Sequence, residues 1–555
     1  MQKILPQKFN RRDAETQSFL GKKRNLRRKF LMFSLRLCVS AVLFAFVSCS
    51  SPPTDLRSFV PADTLVYLET SDLGKTLGAL TESKAFQEAA KKTPDFSALG
   101  GMQIAVAVTG FEASENQVTA ENSVLNFKPR FVAVADTHTW NRYALQFTEE
   151  RLGEFVNETY GGEVTLDAAD KNGGKSFVWT AKDGRKVFAF VAGSRIFFSN
   201  DDAALEKSLA VFRGEADSLI KNEALAKMRE TSKDALAFGY IAPDGIAQIS
   251  NLAGVSTAMD ATEDDEGRSF IARVFPQILR GSTREVFWSA AKTEAGIEDK
   301  YTVSLVPETA SVVKETLVPS TQNQTNSAEF LPSEIYSATR YNLQNPQIAW
   351  RSLLHVAEKN TDAASAKILI RFSGSLLEPY GVADAETFLS GVDSEIWTAN
   401  FDAEGDKSVA IAGVKDAEKL KKSIAEINFK VAGESRENAE VWKSADGTNA
   451  AAFVENKLIL GETESVLKCL EAKQNGQNFT KNASWKKFSE TGAVAVTYGK
   501  DSIEKTIEVL GEKKAENMQM LTVFTTETRF NASGIERRTV SPFGLIGRIL
   551  AQFDE

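Results

Sequence analysis

Trp179-Thr180-Ala181-Lys182-Asp183-Gly184-Arg185-Lys186-Val187-Phe188-Ala189-Phe190-Val191 is the stretch on which the fold turns. Asp183-Gly184 between two strand-like runs is a hairpin signal, because glycine supplies the left-handed backbone that a tight turn needs. The hairpin leads into Arg195-Ile196-Phe197-Phe198, and then into a helix through Leu205 and Leu209. The arrangement recurs further along the chain. Trp442, Asp446-Gly447 and Phe453-Val454 repeat Trp179, Asp183-Gly184 and Phe190-Val191 at a constant displacement of 263. Lys457-Leu458-Ile459-Leu460 and a helix through Val466, Leu467 and Leu470 follow.

Working outward, more of the two halves matches. Lys221-Asn222, with Leu225 and Met228, parallels Lys481-Asn482, with Trp485 and Phe488, at a displacement of 260. A strand follows in each, Ala235 to Tyr240 and Ala493 to Tyr498. Upstream, Phe59-Val60-Pro61-Ala62-Asp63-Thr64-Leu65-Val66-Tyr67-Leu68-Glu69 has the shape of Phe330-Leu331-Pro332-Ser333-Glu334-Ile335-Tyr336-Ser337-Ala338, displaced by 271. Asp72 is placed to cap a helix through Leu73, Leu77, Leu80 and Phe86. Matched blocks in one order indicate an internal duplication. The expected class is α+β, two duplicated halves at 59–317 and 331–555. Each is a mainly antiparallel sheet, with helices covering one face, the long ones near 141–160 and 417–428. The halves form two sheets or one composite sheet. Residues 318–330, polar and unpatterned, read as a linker.

The charge is unevenly spread. The 555-residue chain carries 66 Lys+Arg and 74 Asp+Glu, a net of −8. Residues 1–48 hold eleven basic and two acidic residues, which leaves −17 on the remainder. An acidic body argues against nucleic acid as a partner. After Arg36 comes Leu37-Cys38-Val39-Ser40-Ala41-Val42-Leu43-Phe44-Ala45-Phe46-Val47, then Ser48-Cys49-Ser50-Ser51. Basic flank, short apolar core and small residues are the order of an export signal. The run falls short of the roughly 20 residues that a spanning helix needs. Met32 offers a second start, which would make residues 1–31 an upstream extension.

Phe46-Val47-Ser48-Cys49 resembles a lipobox, with cleavage between Ser48 and Cys49 and diacylation of Cys49; Phe46 departs from the usual Leu. Residues 49–58 then form a tether, and the expected location is the periplasm or the outer face of a bacterial membrane. The anticipated partners are the membrane, through the lipid on Cys49, and a protein of the envelope.

Motifs for chemistry fail on inspection. Gly173-Gly174-Lys175-Ser176 ends like a phosphate loop but has Ala169 where the first glycine belongs. Glu263-Asp264-Asp265-Glu266-Gly267 puts Arg273 where a calcium loop needs glutamate. Ser465-Val466-Leu467-Lys468 lacks the companion motifs of penicillin-binding enzymes, and Gly254-Val255-Ser256-Thr257-Ala258 only half matches a nucleophile elbow. His138 and His355 lie in different halves at unmatched positions and read as structural; Cys469 reads as an inert core thiol. No cofactor, metal or catalytic residue is assigned, and 36 Phe against 9 Tyr reads mostly as core. The expected activity is therefore non-enzymatic binding or structural support. The alternatives are an apolar-ligand carrier and an exported hydrolase with a carboxylate- or Ser-based site between the halves, for which Ser256 and Ser465 are the serines to probe.

The Pro61–Asp72 block, the hairpin–strand–helix blocks and the tail Val540-Ser541-Pro542-Phe543-Gly544-Leu545-Ile546-Gly547 together resemble the uncharacterised bacterial envelope proteins grouped as domain of unknown function 3352 (DUF3352). The resemblance spans roughly residues 59–548. It implies an exported, often lipid-anchored protein and carries over no catalytic residue.

Overall fold

The computed structural model describes residues 54–551, except 118–122, 172, 262–264, 322–325, 375–376, 378–379, 426–429, 437–438, 491 and 512–520. In the first half the strands are β1 (Val66–Thr70), β2 (Gln103–Gln117), β3 (Ser123–Asp136), β4 (Val164–Lys171) and β5 (Gly174–Ala181), followed by β6 (Lys186–Ala192), β7 (Arg195–Ser199), β8 (Ala237–Ile241), β9 (Thr283–Thr293) and β10 (Gly296–Leu305). In the second they are β11 (Ser337–Asn342), β12 (Val392–Asn400), β13 (Ser408–Val414), β14 (Lys430–Arg436) and β15 (Ala439–Lys443), followed by β16 (Asn449–Val454), β17 (Lys457–Glu462), β18 (Ala495–Ser502), β19 (Leu521–Asn531) and β20 (Gly534–Ser541).

Every pairing among them is antiparallel, and the described strands join in one sheet of 20. The first half runs β4-β5-β6-β7-β3-β2-β1-β8-β9-β10 across the sheet. The second runs β14-β15-β16-β17-β13-β12-β11-β18-β19-β20, the same order strand for strand. β10 and β20 pair with each other and join the two runs into the composite sheet. Gly296 and Gly534 open these two strands with φ of 128° and 141°, and each is followed by Ile-Glu. The register pairs Lys300 with Arg538. Like charges opposite one another repel. Glu536 sits between them, 3.2 Å from Lys300 and 3.0 Å from Arg538.

Several helices start where a side chain caps them. They are α1 (Leu73–Thr81), α2 (Lys84–Ala89), α3 (Asn141–Gln146), α4 (Gly153–Thr159), α5 (Asp202–Phe212), α6 (Glu223–Thr231), α7 (Pro243–Ala261) and α8 (Asp265–Ser282), with α9 (Pro307–Thr316) after β10. The second half has α10 (Pro346–Lys359), α11 (Ala363–Ser373), α12 (Ala385–Gly391), α13 (Ala417–Ala425), α14 (Thr463–Asn475), α15 (Trp485–Glu490), α16 (Glu504–Leu510) and α17 (Gly544–Ala551). Asp72 accepts from the Lys75 N–H at 2.9 Å, as an N-cap should. Asn222 does the same for Leu225, and the matching Asn482 accepts from Ser484, which explains why both halves carry Asn there. The helix expected through Phe86 is two, α1 and α2, with Ser83 capping the second. A π turn, Phe147–Leu152, joins α3 to α4.

The expectation that helices cover one face is corrected. α3–α4 pack on one side of the β6–β7 hairpin, against Phe177, Trp179, Ala189, Val191, Ile196 and Phe198. α5 and α6 pack on the other, against Phe190, Phe197 and Tyr240. The second half repeats this, with α14 and α15 on the Trp397–Ile411–Ile459 side and α12 and α13 on the Ala412–Leu458–Leu460 side. The reason is in the strands: Val187–Ala192 and Ile196–Phe198 are continuous apolar runs, the pattern of a strand covered on both faces. The phenylalanines fill this core. Phe59, Phe190 and Phe212 each meet the Phe197 ring at centroid distances of 6.2, 6.4 and 5.3 Å. Each fully buried Phe contributes about 1.5–3 kcal/mol.

Two stretches read as connectors are folded at their ends. Leu56–Phe59 is a 3-10 turn with Leu56 buried, so the tether expected over 49–58 stops short of it. Asn326–Phe330, inside the expected linker, is also a 3-10 turn, with Ser327, Ala328 and Phe330 buried. The two turns occupy matching places: Pro61 bridges to Ser218 and Pro332 bridges to Asn478.

Candidate functional site

Ser48 and Cys49 lie outside the described residues, so the candidate site is built from where the described chain begins. Thr54 is bound on three sides. Its N–H donates to Gln103 Oε1 at 2.8 Å, its carbonyl accepts from Gln103 Nε2 at 3.0 Å, and its hydroxyl donates to Asp136 Oδ2 at 2.9 Å. Asp136 ends β3 and is buried; its other oxygen accepts from Ser194 Oγ at 2.8 Å and from the His138 N–H at 3.0 Å. His138 Nε2 donates to Gln103 Oε1 at 2.7 Å, and Arg195 lies 3.8 Å from Asp136. Burial pushes the Asp136 carboxyl up, but the hydrogen bonds from His138, Ser194 and Thr54 outweigh it and hold the group below the usual carboxylate range. The chain leaving Thr54 toward Cys49 is thus pinned to the ends of β2 and β3.

His138 is therefore a structural residue with a role in this cluster, and its φ of 50° turns the chain from β3 toward α3. His355, also read as structural, is exposed on α10. Sequence reasoning passed over Asp136, Gln103 and Thr54. Their signal was weak, since a single Asp at a strand end is ordinary and Thr54 sat within the supposed tether.

The matching corner of the second half is a sealed charge cluster. Arg340 Nε donates to Glu395 Oε1 at 2.9 Å, and both side chains are 1% exposed. Glu395 also accepts from Ser327 Oγ at 2.8 Å, and Arg340 Nη1 donates to the Phe488 carbonyl at 2.7 Å. Lys457 is buried on the same face, and its ammonium has no hydrogen-bond partner among the described residues. Burial pulls the Lys457 pKa down, against the pull of Glu395 and Asp393.

A cavity of about 910 Å³ lies at the join of the halves, among α1, α2, the β9–β10 turn and the start of β19. Ala79, Ala85, Ile503, Leu521, Val523 and Pro542 give it an apolar wall, and a Glu82–Lys292 ion pair stands on its lining.

The two serine motifs lie on helices. Ser465 is buried at the N-terminus of α14, where its hydroxyl donates to Glu462 at 2.6 Å, while Lys468 pairs with Glu464 at 2.9 Å. The Ser-x-x-Lys pair is two helix-terminus interactions. Gly254–Ala258 lies within α7, where no strand leads into a sharp turn; the Ser256 side chain is outside the described residues. Cys469 is buried, and burial pushes its thiol pKa up. Gly173 forms the β4–β5 turn, and the described part of Glu263–Gly267 opens α8. Among the described residues no His/Cys/Asp/Glu cluster is arranged to hold a metal, and no helix is long and apolar enough to cross a membrane. No known protein family, curated protein or solved structure matches this chain.

Proposed function

We propose that the protein is an exported cell-envelope lipoprotein, held to the membrane through a lipid on Cys49, whose body is a non-enzymatic binding or structural module. The observation that carries this reading is the tether. The lipobox-like Ser48-Cys49 stands five residues before Thr54, and Thr54 is docked on Gln103 and Asp136. Two thioether-linked chains plus an N-acyl chain anchor stably where one chain is marginal. The resemblance to domain of unknown function 3352 and the duplication of the body belong to the same proposal; the matched strand order and the matched 3-10 turns support the duplication. Changing Cys49 to Ala is expected to move the protein from the membrane fraction to the soluble fraction. Unchanged retention refutes lipid anchoring.

The join cavity favours a second reading, a carrier or binder of an apolar ligand. Its volume is of the size that small-molecule sites occupy, roughly 300–1,000 Å³, and an aliphatic wall lines one part of it beside charged residues. Mass spectrometry of gently purified protein is expected to find a co-purified lipid on this reading; bare protein counts against it.

A further inference from the structure

Of the seven tryptophans, Trp179, Trp288, Trp397 and Trp442 are buried and Trp350 and Trp485 are partly buried. Trp140 is 78% exposed, the most of any large hydrophobic side chain among the described residues. Tyr143, one turn on, is exposed as well. Leaving an indole in water forgoes the largest apolar burial any side chain offers.

The position is built, not frayed. Asp136 accepts from the His138 N–H, Thr137 N–H donates to the Ser194 carbonyl at 3.0 Å, and the Thr137 and Thr139 hydroxyls meet at 2.6 Å. The Tyr143 N–H donates to the Trp140 carbonyl at 2.8 Å, which starts α3 directly on this turn. Asp136 is the residue that holds Thr54. Trp140 stands four residues from it, at most about 14 Å along the chain, and Cys49 stands five residues from Thr54, at most about 17 Å. A lipid on Cys49 would therefore keep the Trp140 surface within reach of the bilayer. Exposed Arg142 lies between the two aromatics. Amphipathic aromatic rings settle at headgroup level, and a cation beside them suits anionic lipid.

We infer that Trp140 and Tyr143 form the contact by which the body rests on the headgroup region of the bilayer that holds the Cys49 lipid. This rests on the lipid-anchor reading. It gives an acidic body a small aromatic footing and a fixed orientation, in place of a broad electrostatic one.

The test uses the lipidated full chain in phosphatidylglycerol–phosphatidylethanolamine vesicles that carry a nitroxide-labelled lipid. Trp140→Cys takes a fluorophore there alone, because Cys38 leaves with the cleaved leader, Cys49 is blocked by its lipid and Cys469 is buried. Lys481→Cys, exposed in the second half, is the control position. The expected result is loss of fluorescence at 140 and none at 481. Vesicle-bound protein with equal, unquenched signals at both positions overturns the contact and leaves lipid anchoring standing. A label at 140 that is shielded from water but not reached by the nitroxide lipid also overturns it, by showing that a second copy covers the site. A chain that never partitions onto the vesicles overturns lipid anchoring and the contact with it.

Discussion

The fourth residue of the first strand in each half faces the same slot, and its charge is reversed. In the first half it is Glu69, which accepts from Tyr67 Oη at 2.6 Å and pairs with Arg229 of α6. In the second it is Arg340, which pairs with Glu395 of the neighbouring strand β12. The backbone around them is alike. Glu69 and Arg340 each sit between matching strands, β2 and β8 in one case and β12 and β18 in the other. What the fold holds fixed is the pairing of strands; the sign of a charge is free, provided a neighbour supplies its partner. Solvent decides what the pair is worth. Arg229 is 30% exposed, whereas both members of the Arg340–Glu395 pair are 1% exposed.

That difference gives the largest effect. Removing one member of a fully buried pair strands the other without water or partner. Arg340→Ala or Glu395→Gln should therefore cost about 3–5 kcal/mol in denaturant unfolding. Arg229→Ala should cost nearer to about 1 kcal/mol, because water screens that pair. Equal losses would break the comparison. Replacing both buried charges, by Arg340→Met with Glu395→Leu, should recover most of the loss, since matched apolar side chains pay no desolvation.

The join supplies a second contrast. Asp299 of β10 and Arg537 of β20 hold matching positions about the pair Lys300–Arg538; Arg537 is exposed, whereas Asp299 is buried. Asp299 accepts from Trp288 Nε1 and from the Leu545 N–H, both at 2.8 Å, and so seats the start of α17. Gly544 allows this approach: its φ is +60°, and a Cβ there would meet Asp299 Oδ2 at 2.8 Å. Burial outweighs these two hydrogen bonds and pushes the Asp299 pKa up to about 6. Above its ordinary value of 3.8 the folded state binds the proton more tightly than the unfolded chain does. The carboxyl's contribution to stability is therefore full below about pH 4 and is lost as pH rises through about 6, a swing on the order of 3 kcal/mol. Asp299→Asn keeps an acceptor for Trp288 and should flatten stability over that window. An unchanged pH profile would remove Asp299 from the account.

Asp136 has the opposite sign. Its carboxyl is held low in the folded state, so its contribution is present above the ordinary carboxylate range and is lost as pH falls through the folded value. Asp136→Ala leaves Thr54, Ser194 and the His138 N–H without their acceptor, and should cost about 1–3 kcal/mol. Limited proteolysis should then cut sooner near Thr54, while the second half, whose matching cluster is sealed, keeps its cleavage rate. Proteolysis unchanged at Thr54 would show that the tether does not depend on this carboxylate.

Much of the architecture was legible because hairpins and caps are local. Asp-Gly turns, the Asp72 cap and the Lys-Asn pairs each act within a few residues, and their spacing exposed the correspondence of the halves. What stayed hidden depends on contacts distant in sequence. Helices on both faces follow from tertiary packing of apolar runs that look the same in one-sided sheets. The β10–β20 junction joins residues more than two hundred apart. The Thr54–Asp136 dock and the Arg340–Glu395 pair were missed for the same reason: a lone Asp, Arg or Glu on a strand carries no local mark of its partner. Trp140 was unremarked because exposure is not written in a residue's type.

The smallest effect has the most informative sign. Arg195 and Lys457 open matching strands, β7 and β17. Arg195 lies over the Phe59 ring at 4.6 Å and near Asp136, and its side chain is partly exposed although its Nε is buried without a hydrogen bond among the described residues. Lys457 is buried with its ammonium unpartnered, and desolvation pulls its pKa down. A buried amine that finds no hydrogen bond costs stability, whereas its four-carbon stem still packs. Lys457→Met keeps the stem and removes the cost, so it should leave stability unchanged or raise it by up to about 1 kcal/mol. Arg195→Met removes a cation that sits on an aromatic ring beside a carboxylate, and should lower stability by roughly the same amount. Thermal unfolding of the two variants decides it. If Lys457→Met loses as much as Arg195→Met, then the Lys457 ammonium contributes to stability despite its burial, and the contrast between the two strand openings fails.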